Sequence, residues 1–469
     1  MWWVGIGVIT FSVYFSALVI FRHLNLLTSQ FDLGNMDQVL WQSLHGHWFQ
    51  MFSPTDAKLV PRAATHADFL LLAYLPFYAL WQSPMFMTVL QVLAVASGAW
   101  PLFLFARRMV SERWAAYLSL SYLVFPGLVW AILFDLHAVV LVTPLLLWAM
   151  WAAVNRRWWI YGFTIVAILL AKEEVGATVA LLGIFLMWKV KPRWVGLITI
   201  IVGVVVSAFM LGYVIPHARQ APGHFALQYY ADFGASNSGV ISGIIRHPIL
   251  VLRHVYASDG INYQAALLGP TGFTALAGLP FSFIAVPELL INLLSNNPNL
   301  RTIFFQYTSV LTPIVFLGSA IGLSRVLAVA RRIRLSPRFI FLAVGACNVF
   351  SVYWWSPLPF MRYGHNALAA FHSSPYRADI KKIQQTIPPD AKVAVTNNIA
   401  PQFTQRDAVW AFPLSLDQAD SAVILAGGQY EVTSPAQIQD AVTSLQKDSH
   451  WKLVLQDNEL YYFQRIKPQ

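Results

Sequence analysis

The stretch WWVGIGVITFSVYFSALVIF at residues 2–21 decides the fold, because it is uncharged from end to end. An apolar stretch of this length matches the roughly 20 residues that an α-helix needs to cross the hydrocarbon core of a bilayer. No basic residues precede it and no small-residue cleavage site follows it. We therefore interpret it as a retained transmembrane helix and not as a signal peptide.

Similar apolar runs recur through most of the chain. Hydrophobic residues make up 57% of the sequence and charged residues 11%, against about 25% charged residues in an ordinary soluble domain. A soluble fold of this length could not bury so much apolar surface, so the bilayer is the solvent for most of it. We predict an all-α polytopic membrane protein with about 11 transmembrane helices, at 2–21, 85–106, 114–132, 138–154, 158–171, 175–189, 194–215, 265–279, 281–295, 308–325 and 338–354.

The basic residues argue for a membrane orientation and against nucleic-acid binding. The net charge is +10, but Lys and Arg occur in short clusters between apolar runs, which is the pattern of cytoplasmic loops. The lone Cys347 excludes an intrachain disulfide and a cysteine-based metal site. Four clusters define the cytoplasmic side: Arg107, Arg108 and Arg113; Arg156 and Arg157; Lys189, Lys191 and Arg193; Arg325, Arg331, Arg332, Arg334 and Arg338.

These clusters predict a multi-pass protein of the cell membrane with its N-terminus in the cytoplasm and its C-terminus outside. The transmembrane domain then covers residues 1–354 and an extracytoplasmic domain covers 355–469. The predicted outer segments are 22–84, 133–137, 172–174, 216–264, 296–307 and the tail from 355.

The first outer loop, 22–84, is predicted to carry surface helices. Asp32 can cap a helix over 33–45, with Gly46 just beyond its end. Apolar residues on one side of this helix predict that it lies along the membrane surface. The segment 66–81 is apolar but interrupted by Pro76, and we interpret it as a short helix at the outer surface or dipping partway into the membrane.

After residue 355 the composition changes to that of a small α/β domain. Residues 376–387 predict a helix, and AKVAVTNN at 391–398 and SAVILA at 421–426 predict strands. Ser434 begins a further helix, with proline next and glutamine three residues on. Residues 451–466 predict a hairpin that turns at Asp457-Asn458.

Charged residues near a membrane are costly, so their positions indicate where function lies. In the first outer loop, Asp32 and Asp37 are candidate catalytic carboxylates, or a helix cap and a solvated first-turn acid. His66 and Asp68 could help to bind a metal or a phosphate, or could mark the membrane interface.

Two short outer turns also carry charge. FDLH at 134–137 places Asp135 beside His137, a pair that can tune a base, bind a metal or simply cap a turn. The turn that contains Lys172, Glu173 and Glu174 interrupts an apolar run, where a plain hairpin would use Gly, Asn or Ser. A buried ion pair or a site for a charged head group explains these residues better.

Two later positions complete the set. Glu288 could line a cavity or cap a helix. Arg301, with Tyr307 close by in sequence, could bind phosphate oxygens or extend to the interface. All these groups lie on one side of the predicted topology. Together they can form an amphiphilic site, which suits a substrate with a lipid tail and a charged head.

Several of these motifs resemble those of the DUF2079 family of predicted membrane proteins, over nearly the whole chain. They are FDLGNMDQVLW near the N-terminus, FDLH, KEE, PELLINLLS followed by QYTSVLTP, and the tail IPPDAKVAVTNNIAPQFTQRDAVWAFP. That family is similar to the GT-C superfamily of integral-membrane glycosyltransferases. The resemblance implies a multi-helix membrane domain, a long first outer loop and an outer C-terminal domain.

The resemblance further implies sugar transfer from a polyprenyl-phosphate carrier to an acceptor on the outer face. The acidic residue central to catalysis in that superfamily would be Asp32, with Asp37 as second choice. A divalent metal is compatible with this chemistry but not required, and no metal ligands are assigned. The remaining candidates would bind or position substrate: His66, Asp135, His137, Lys172, Glu173, Glu174, Arg301 and Tyr307.

Two other classes of function stay open on the sequence alone. A transporter or lipid flippase would also place charge within a helical bundle, although usually near mid-bilayer and with paired repeats. A non-catalytic scaffold would use the C-terminal domain to bind a partner.

Overall fold

The computed structural model describes residues 1–427 and 433–466. The predicted domain 355–469 therefore includes two short segments that lie outside the described residues. The described α-helices are α1 Trp2–Leu24, α2 Asn35–Leu44, α3 Leu75–Tyr78, α4 Pro84–Ser97, α5 Ala99–Ala106, α6 Glu112–Leu123, α7 Pro126–Leu133, α8 Val142–Val154, α9 Trp158–Leu169, α10 Gly176–Lys189, α11 Arg193–Phe209, α12 Ile215–Arg219, α13 Asn237–Arg246, α14 Pro248–Val255, α15 Ser258–Leu268, α16 Val286–Leu293, α17 Leu311–Arg332, α18 Pro337–Trp355, α19 Gly364–Leu368, α20 Arg377–Thr386 and α21 Pro435–Lys447.

Six helical segments within residues 1–427 and 433–466 are long and apolar enough to cross a membrane, and the chain is a multi-pass membrane protein. Shorter apolar helices occur where several other spans were predicted, including Ala138–Val154, Trp158–Leu169 and Gly176–Lys189. The six long segments are Trp2–Leu24, Pro84–Ala106, Glu112–Leu133, Arg193–Arg219, Leu311–Arg332 and Pro337–Trp355.

The prediction of one continuous helix over 265–279 is wrong. Helix α15 ends at Leu268, and short 3-10 turns follow at Gly269–Thr271 and Leu276–Gly278. Pro270 has no N–H to donate to the preceding turn, and Gly272 has φ of +60°, which continues no right-handed helix. Apolar composition alone therefore gave a false helix at this point.

The predicted surface helix of the first outer loop also differs. Asp32 does not cap it, because Asp32 lies inside a π-helical turn, Gln30–Gly34, that precedes α2. Gly46 does have φ of +94° beyond the end of α2, as predicted. Eight of the ten residues of α2 are buried, so the helix is not laid on the membrane surface with a solvated face.

Helix α2 is buried because the C-terminal domain packs on it. The amide of Gln38 donates to the backbone carbonyls of Thr404 and Arg406 at 2.8 and 2.7 Å, and Gln42 donates to the carbonyl of Asp407 at 2.8 Å. Polar residues on one side of α2 thus pair with the domain, while Val39 and Leu40 join the main hydrophobic core.

Seven strands are described: β1 Gln50–Phe52, β2 Leu59–Pro61, β3 Val393–Val395, β4 Val409–Ala411, β5 Ser421–Leu425, β6 Trp451–Asp457 and β7 Leu460–Arg465. The first two form an antiparallel hairpin in the outer loop that the sequence did not predict. The other five form one sheet in the order β4-β3-β5-β7-β6, with β3 parallel to both neighbours and β7 antiparallel to both of its own.

The small C-terminal sheet has a helix on each face. Alternate residues of β3 and β5 point to opposite sides, so Val393 and Val423 pack with α20, while Ala422 packs with α21. The predicted strands and the hairpin over 451–466 are present, and Ser434 forms a capping box with Gln437. Strand β4 was missed because only three of its residues are extended, and their burial depends on the rest of the sheet.

Helices α10 and α11 pack closely enough for backbone to touch backbone. A Cβ atom on Gly183 would lie 2.7 Å from the carbonyl oxygen of Gly196, and one on Gly196 would lie 2.5 Å from that of Gly183. Small residues at such crossings let membrane helices approach and gain dispersion contacts.

We expect Gly183→Ala to lower the free energy of unfolding by about 1–3 kcal/mol, because the added methyl group forces the helices apart. The measurement is the thermal unfolding midpoint of the detergent-solubilised protein. Gly162→Ala is the matched control, since nothing lies within 4 Å of a Cβ atom there. Equal midpoints for the two variants would contradict the close crossing.

Candidate functional site

The π-helical turn that carries Asp32 is held from two sides. The backbone N–H of Ser29 donates to Asp135 Oδ2 at 2.9 Å, and the Ser29 hydroxyl donates to Asp32 Oδ2 at 2.6 Å. From the C-terminal domain, the side-chain oxygen of Asn397 accepts the N–H of Gln30 at 2.9 Å. Single π-helical turns occur often at functional sites, and here the turn fixes the position of a carboxylate between two domains.

The FDLH turn is held by a glutamine that no sequence motif indicated. Gln91 is fully buried; its amide donates to the carbonyl of Asp135 at 2.8 Å, and its oxygen accepts the N–H of His137 at 3.1 Å. Asp135 has φ of +59°, a left-handed conformation that the short outer turn requires. The turn therefore presents both side chains towards Asp32.

Asp32 and His137 form a carboxylate–imidazole pair. Nε2 of His137 lies 3.1 Å from Asp32 Oδ1, and the imidazole stacks on Phe134 with ring centroids 5.5 Å apart. The side chains are 21% and 11% exposed, so the pair can be reached from the surface while most of each group is packed. A carboxylate held in this way can accept a proton or orient a hydroxyl group.

Asp135 lies behind this pair. Burial raises the pKa of Asp135 to about 6, although Arg22 at 3.7 Å favours its charged form. Nearby Asp32 adds to the increase in pKa through like-charge repulsion. Asp135 thus changes charge close to neutral pH and modulates the electrostatic field at Asp32.

The turn with Lys172 contributes the cation of the site. Lys172 forms an ion pair with Glu174 and lies 5.8 Å from the centroid of the Tyr307 ring. Burial opposes the charge of Lys172, but Glu174, Glu288 and Glu173 outweigh it and raise the pKa of the ammonium group. Lys172 therefore stays protonated at all physiological pH values.

Glu173 points into a pair of histidines. Its Oε1 lies 2.8 Å from His66 Nδ1 and 3.0 Å from His224 Nε2, and its Oε2 accepts the N–H of Ala67 at 3.1 Å. Burial disfavours ionisation, but His66, His224 and Lys172 outweigh it and hold the pKa of Glu173 well below its usual range. The carboxylate is charged, and its donor atoms with those of the two histidines are a group that could hold a metal ion.

Arg62 connects the two halves of the site. Its guanidinium group is buried and pairs with both oxygens of Asp68, at 3.0 and 2.7 Å. Burial favours the neutral form of Arg62, but the negative charges of Asp68, Glu173 and Asp32 outweigh it and raise the pKa of the guanidinium group above its ordinary value. Because one guanidinium group interacts with Asp32 and Glu173, the two clusters lie within electrostatic reach of each other.

Most of the predicted site residues therefore converge at one end of the bundle, and two lie elsewhere. The carboxylate of Asp37 accepts from the hydroxyl groups of Tyr78 and Thr404 at 2.7 and 2.5 Å. Arg301 pairs with Asp259 at 2.9 Å and donates to the carbonyl of Ser295. The residues that converge are Asp32, His66, Asp135, His137, Lys172, Glu173, Glu174 and Tyr307.

Sequence reasoning missed four residues of this cluster: Arg22, Arg62, Gln91 and His224. The sequence could have indicated the two arginines, because both lie in a predicted outer loop, whereas basic residues usually lie in cytoplasmic loops. Gln91 and His224 stand in an apolar helix and a long loop without any motif, so only the tertiary structure identifies them.

The comparisons with known proteins give a family and a fold. A family model described as a predicted membrane protein (DUF2079) matches residues 22–462. The crystal structure of ArnT from Cupriavidus metallidurans bound to undecaprenyl phosphate is similar, with a TM-score of 0.56, 14% identity, and 98% of this chain and 97% of that chain covered. The apo structure of the same protein gives a TM-score of 0.51, 15% identity, and the same coverage.

A weaker likeness is to the archaeal oligosaccharyltransferase AglB from Archaeoglobus fulgidus in complex with an inhibitory peptide and a dolichol-phosphate. It has a TM-score of 0.44 and 13% identity, and covers 88% of this chain and 65% of that chain. No curated protein sequence matches the chain. At these identities the comparison with ArnT establishes the fold alone.

The contact between Asp37 and the C-terminal domain predicts a pH dependence of stability. Burial raises the pKa of Asp37 from 3.8 to about 6. A carboxyl group that binds its proton more tightly when folded stabilises the fold at low pH, and this contribution is lost as the pH rises from about 4 to about 6. The loss of folding free energy amounts to about 3 kcal/mol if Asp37 has a pKa of 3.8 in the unfolded chain.

We expect Asp37→Asn to remove this contribution, so that the variant gains stability relative to the parent protein as the pH rises through that window. Thermal unfolding midpoints measured from pH 4.5 to 8 test it. Asp56→Asn changes an exposed acid of the same loop and should leave the profile unchanged. Parallel profiles for the parent and Asp37→Asn would show that Asp37 does not titrate with folding.

Proposed function

This chain belongs to the DUF2079 family of predicted membrane proteins, and we propose that it is a membrane glycosyltransferase acting on a polyprenyl-phosphate-linked sugar. The observation that carries the proposal is the Asp32–His137 pair, 3.1 Å apart, in one electrostatic cluster with the partly buried cation Lys172. A candidate base and a cation that both interact electrostatically with Tyr307, on a GT-C-type fold, suit the transfer of a group away from a phosphate.

Lys172 would bind the donor. A polyprenyl-phosphate sugar has an apolar tail for the membrane and a phosphate for a cation. Because a partly buried ammonium group interacts more strongly than a fully solvated one with charge that develops in a reaction, Lys172 would stabilise the phosphate as it leaves. The likeness to a protein crystallised with undecaprenyl phosphate supports this class of donor.

Asp32 would act on the acceptor. As an acceptor hydroxyl group attacks the anomeric carbon, Asp32 takes its proton, a new glycosidic bond forms, and the bond from that carbon to the phosphate oxygen breaks. The electron pair of the broken bond leaves with the polyprenyl phosphate. Attack from the side opposite the phosphate inverts the anomeric centre. No step in this sequence requires a metal ion.

The other members of the cluster would position these groups. His137 would hold Asp32 in its reactive orientation, and Asp135 would hold Ser29 and hence the turn that carries Asp32. Tyr307, whose ring lies 5.8 Å from the Lys172 ammonium group, would line the donor site. Arg301 pairs with Asp259 at 2.9 Å and donates to the carbonyl of Ser295, outside the group of residues that converge, so we assign it no role in phosphate binding.

We further propose that the cluster faces outward. The N-terminal amine pairs with Glu112 at 2.7 Å, beside the basic residues at 107, 108 and 113, while Arg22 at the other end of α1 reaches Asp135. The site and the basic cluster therefore lie at opposite ends of a spanning helix. Since basic clusters favour the cytoplasm, the N-terminus would lie inside and the site and the C-terminus outside.

We expect Asp32→Asn to lower the rate of sugar transfer by about 10²–10⁴-fold, the usual contribution of a general base. The assay follows radiolabelled sugar from a panel of polyprenyl-phosphate hexoses and pentoses onto membrane acceptors, using purified full-length protein. Asp56→Asn is the matched control. Equal rates for the parent and Asp32→Asn would remove Asp32 from the mechanism, and lipid flux in liposomes without transfer would favour a transporter instead.

We expect Lys172→Gln to weaken binding of polyprenyl phosphate by about 10- to 100-fold, the effect of losing one hydrogen bond to a charged group. Binding to the purified protein is measured directly, without turnover. Lys172→Arg retains the positive charge and should still bind polyprenyl phosphate. Binding by this variant would show that the weaker binding of Lys172→Gln comes from the lost charge and not from misfolding. Lys58→Gln, an exposed residue of the first outer loop, should bind like the parent; equally tight binding by Lys172→Gln would refute the assignment.

A further inference from the structure

A compact donor set joins three segments that are distant in sequence. His66 belongs to the first outer loop, Glu173 to the turn before α10, and His224 to the long segment after α12. A single carboxylate oxygen contacts both imidazole rings: Oε1 of Glu173 lies 2.8 Å from His66 Nδ1 and 3.0 Å from His224 Nε2. All three donor atoms lie within 4.8 Å of one another.

The two separations from Glu173 Oε1 are close to those between the ligands of a metal centre. Two ligands of a tetrahedral ion, each about 2.0–2.1 Å from it, lie about 3.3 Å apart. The Glu173–histidine distances would have to open by only a few tenths of an ångström to admit an ion. The set of two imidazoles and one carboxylate is a ligand set that zinc takes in proteins, with a further position left for water or substrate.

The surrounding contacts fix each ligand. Glu173 is 2% exposed, its second oxygen accepts the N–H of Ala67, and its backbone carbonyl accepts the hydroxyl of Ser207 at 2.5 Å. The rings of His66 and His224 both lie against Phe225, with centroids 5.4 and 4.6 Å away. Such outer contacts orient metal ligands and raise affinity.

We propose that His66, Glu173 and His224 bind a divalent transition ion, with zinc as the best fit. The His66 side chain is 27% exposed, so an ion can reach this ligand from the surface. The ion would link the first outer loop to the 216–264 segment through the turn beside Lys172. The site is distinct from the Asp32–His137 pair, and metal binding does not depend on the proposed sugar transfer.

Binding requires both histidines to present a nitrogen without its proton. His66 Nδ1 lies 2.8 Å from the ionised Glu173, so the proton on Nδ1 would move to Nε2 of the same ring when an ion binds. His224 Nδ1 accepts the N–H of Ala226 at 3.1 Å, so Nε2 carries the proton in the metal-free arrangement. An ion at Nε2 would move that proton to Nδ1 and break this one hydrogen bond. The contacts of Glu173 with the two histidines would likewise be replaced by bonds to the ion, whose formation outweighs the loss of these hydrogen bonds.

The test is the metal content of the purified full-length protein. After treatment with a chelator and reloading with Zn²⁺, mass spectrometry is expected to find one ion per chain. His66→Ala and His224→Ala should each lower the Zn²⁺ affinity by at least about 100-fold. Replacing a residue that only contacts a metal ligand typically lowers the affinity by about 10- to 100-fold. His365→Ala, an exposed histidine elsewhere, is the matched control and should bind like the parent protein.

Two further measurements guard against misfolding. Co²⁺ loading should give the visible absorption of a tetrahedral site in the parent, and Zn²⁺ should raise its unfolding temperature but not that of Glu173→Gln, which keeps an acceptor for Ala67. A parent protein that retains no stoichiometric ion, or folded histidine variants that bind as tightly, would overturn the proposal. Because no sugar donor is present, this outcome is independent of the glycosyltransferase test.

Discussion

Compensation of buried charge is the constraint on which the rest of this structure depends. A carboxylate in a poorly solvated position must find a cation or several donors, or else lose its charge. At one end of the bundle five acids have such a partner, and each pair joins separate segments or fixes a turn. The pairs are Asp32 with His137, Asp68 with Arg62, Glu173 with His66 and His224, Glu174 with Lys172, and Asp135 with Arg22.

The same constraint ties the C-terminal domain to the membrane domain. Asp37 is buried where the domain packs on α2, and its carboxylate accepts from Thr404 and Tyr78. Asn397 holds the π-helical turn by accepting the N–H of Gln30. The position of Asp32 therefore depends on both domains being docked, which gives the small α/β domain a part in the geometry of the site, whether or not it touches substrate.

The candidate site and the candidate metal cluster are neighbours with different chemistry. The Asp32–His137 pair lies beside groups whose charge depends on burial, as in Asp135. The three metal-ligand candidates surround a carboxylate that its neighbours keep ionised. Arg62 interacts electrostatically with Asp32 on one side and Glu173 on the other, and Tyr307 interacts with Asp32 and Lys172. A ligand or ion bound on one side would thus alter the field on the other.

The membrane class, most helix positions and the candidate turns could be predicted from the amino-acid sequence, because apolar run length and local capping act over short stretches of chain. The sequence also predicted the strands at 391–398 and 421–426 and the capping box at Ser434. Only the tertiary structure decided that Asp32 lies in a π-helical turn, that α2 is buried, and that the 265–279 segment is broken. It also decided which residues meet: His66 and Glu173 are 107 residues apart in sequence, and no local pattern records a contact that depends on how the whole bundle packs.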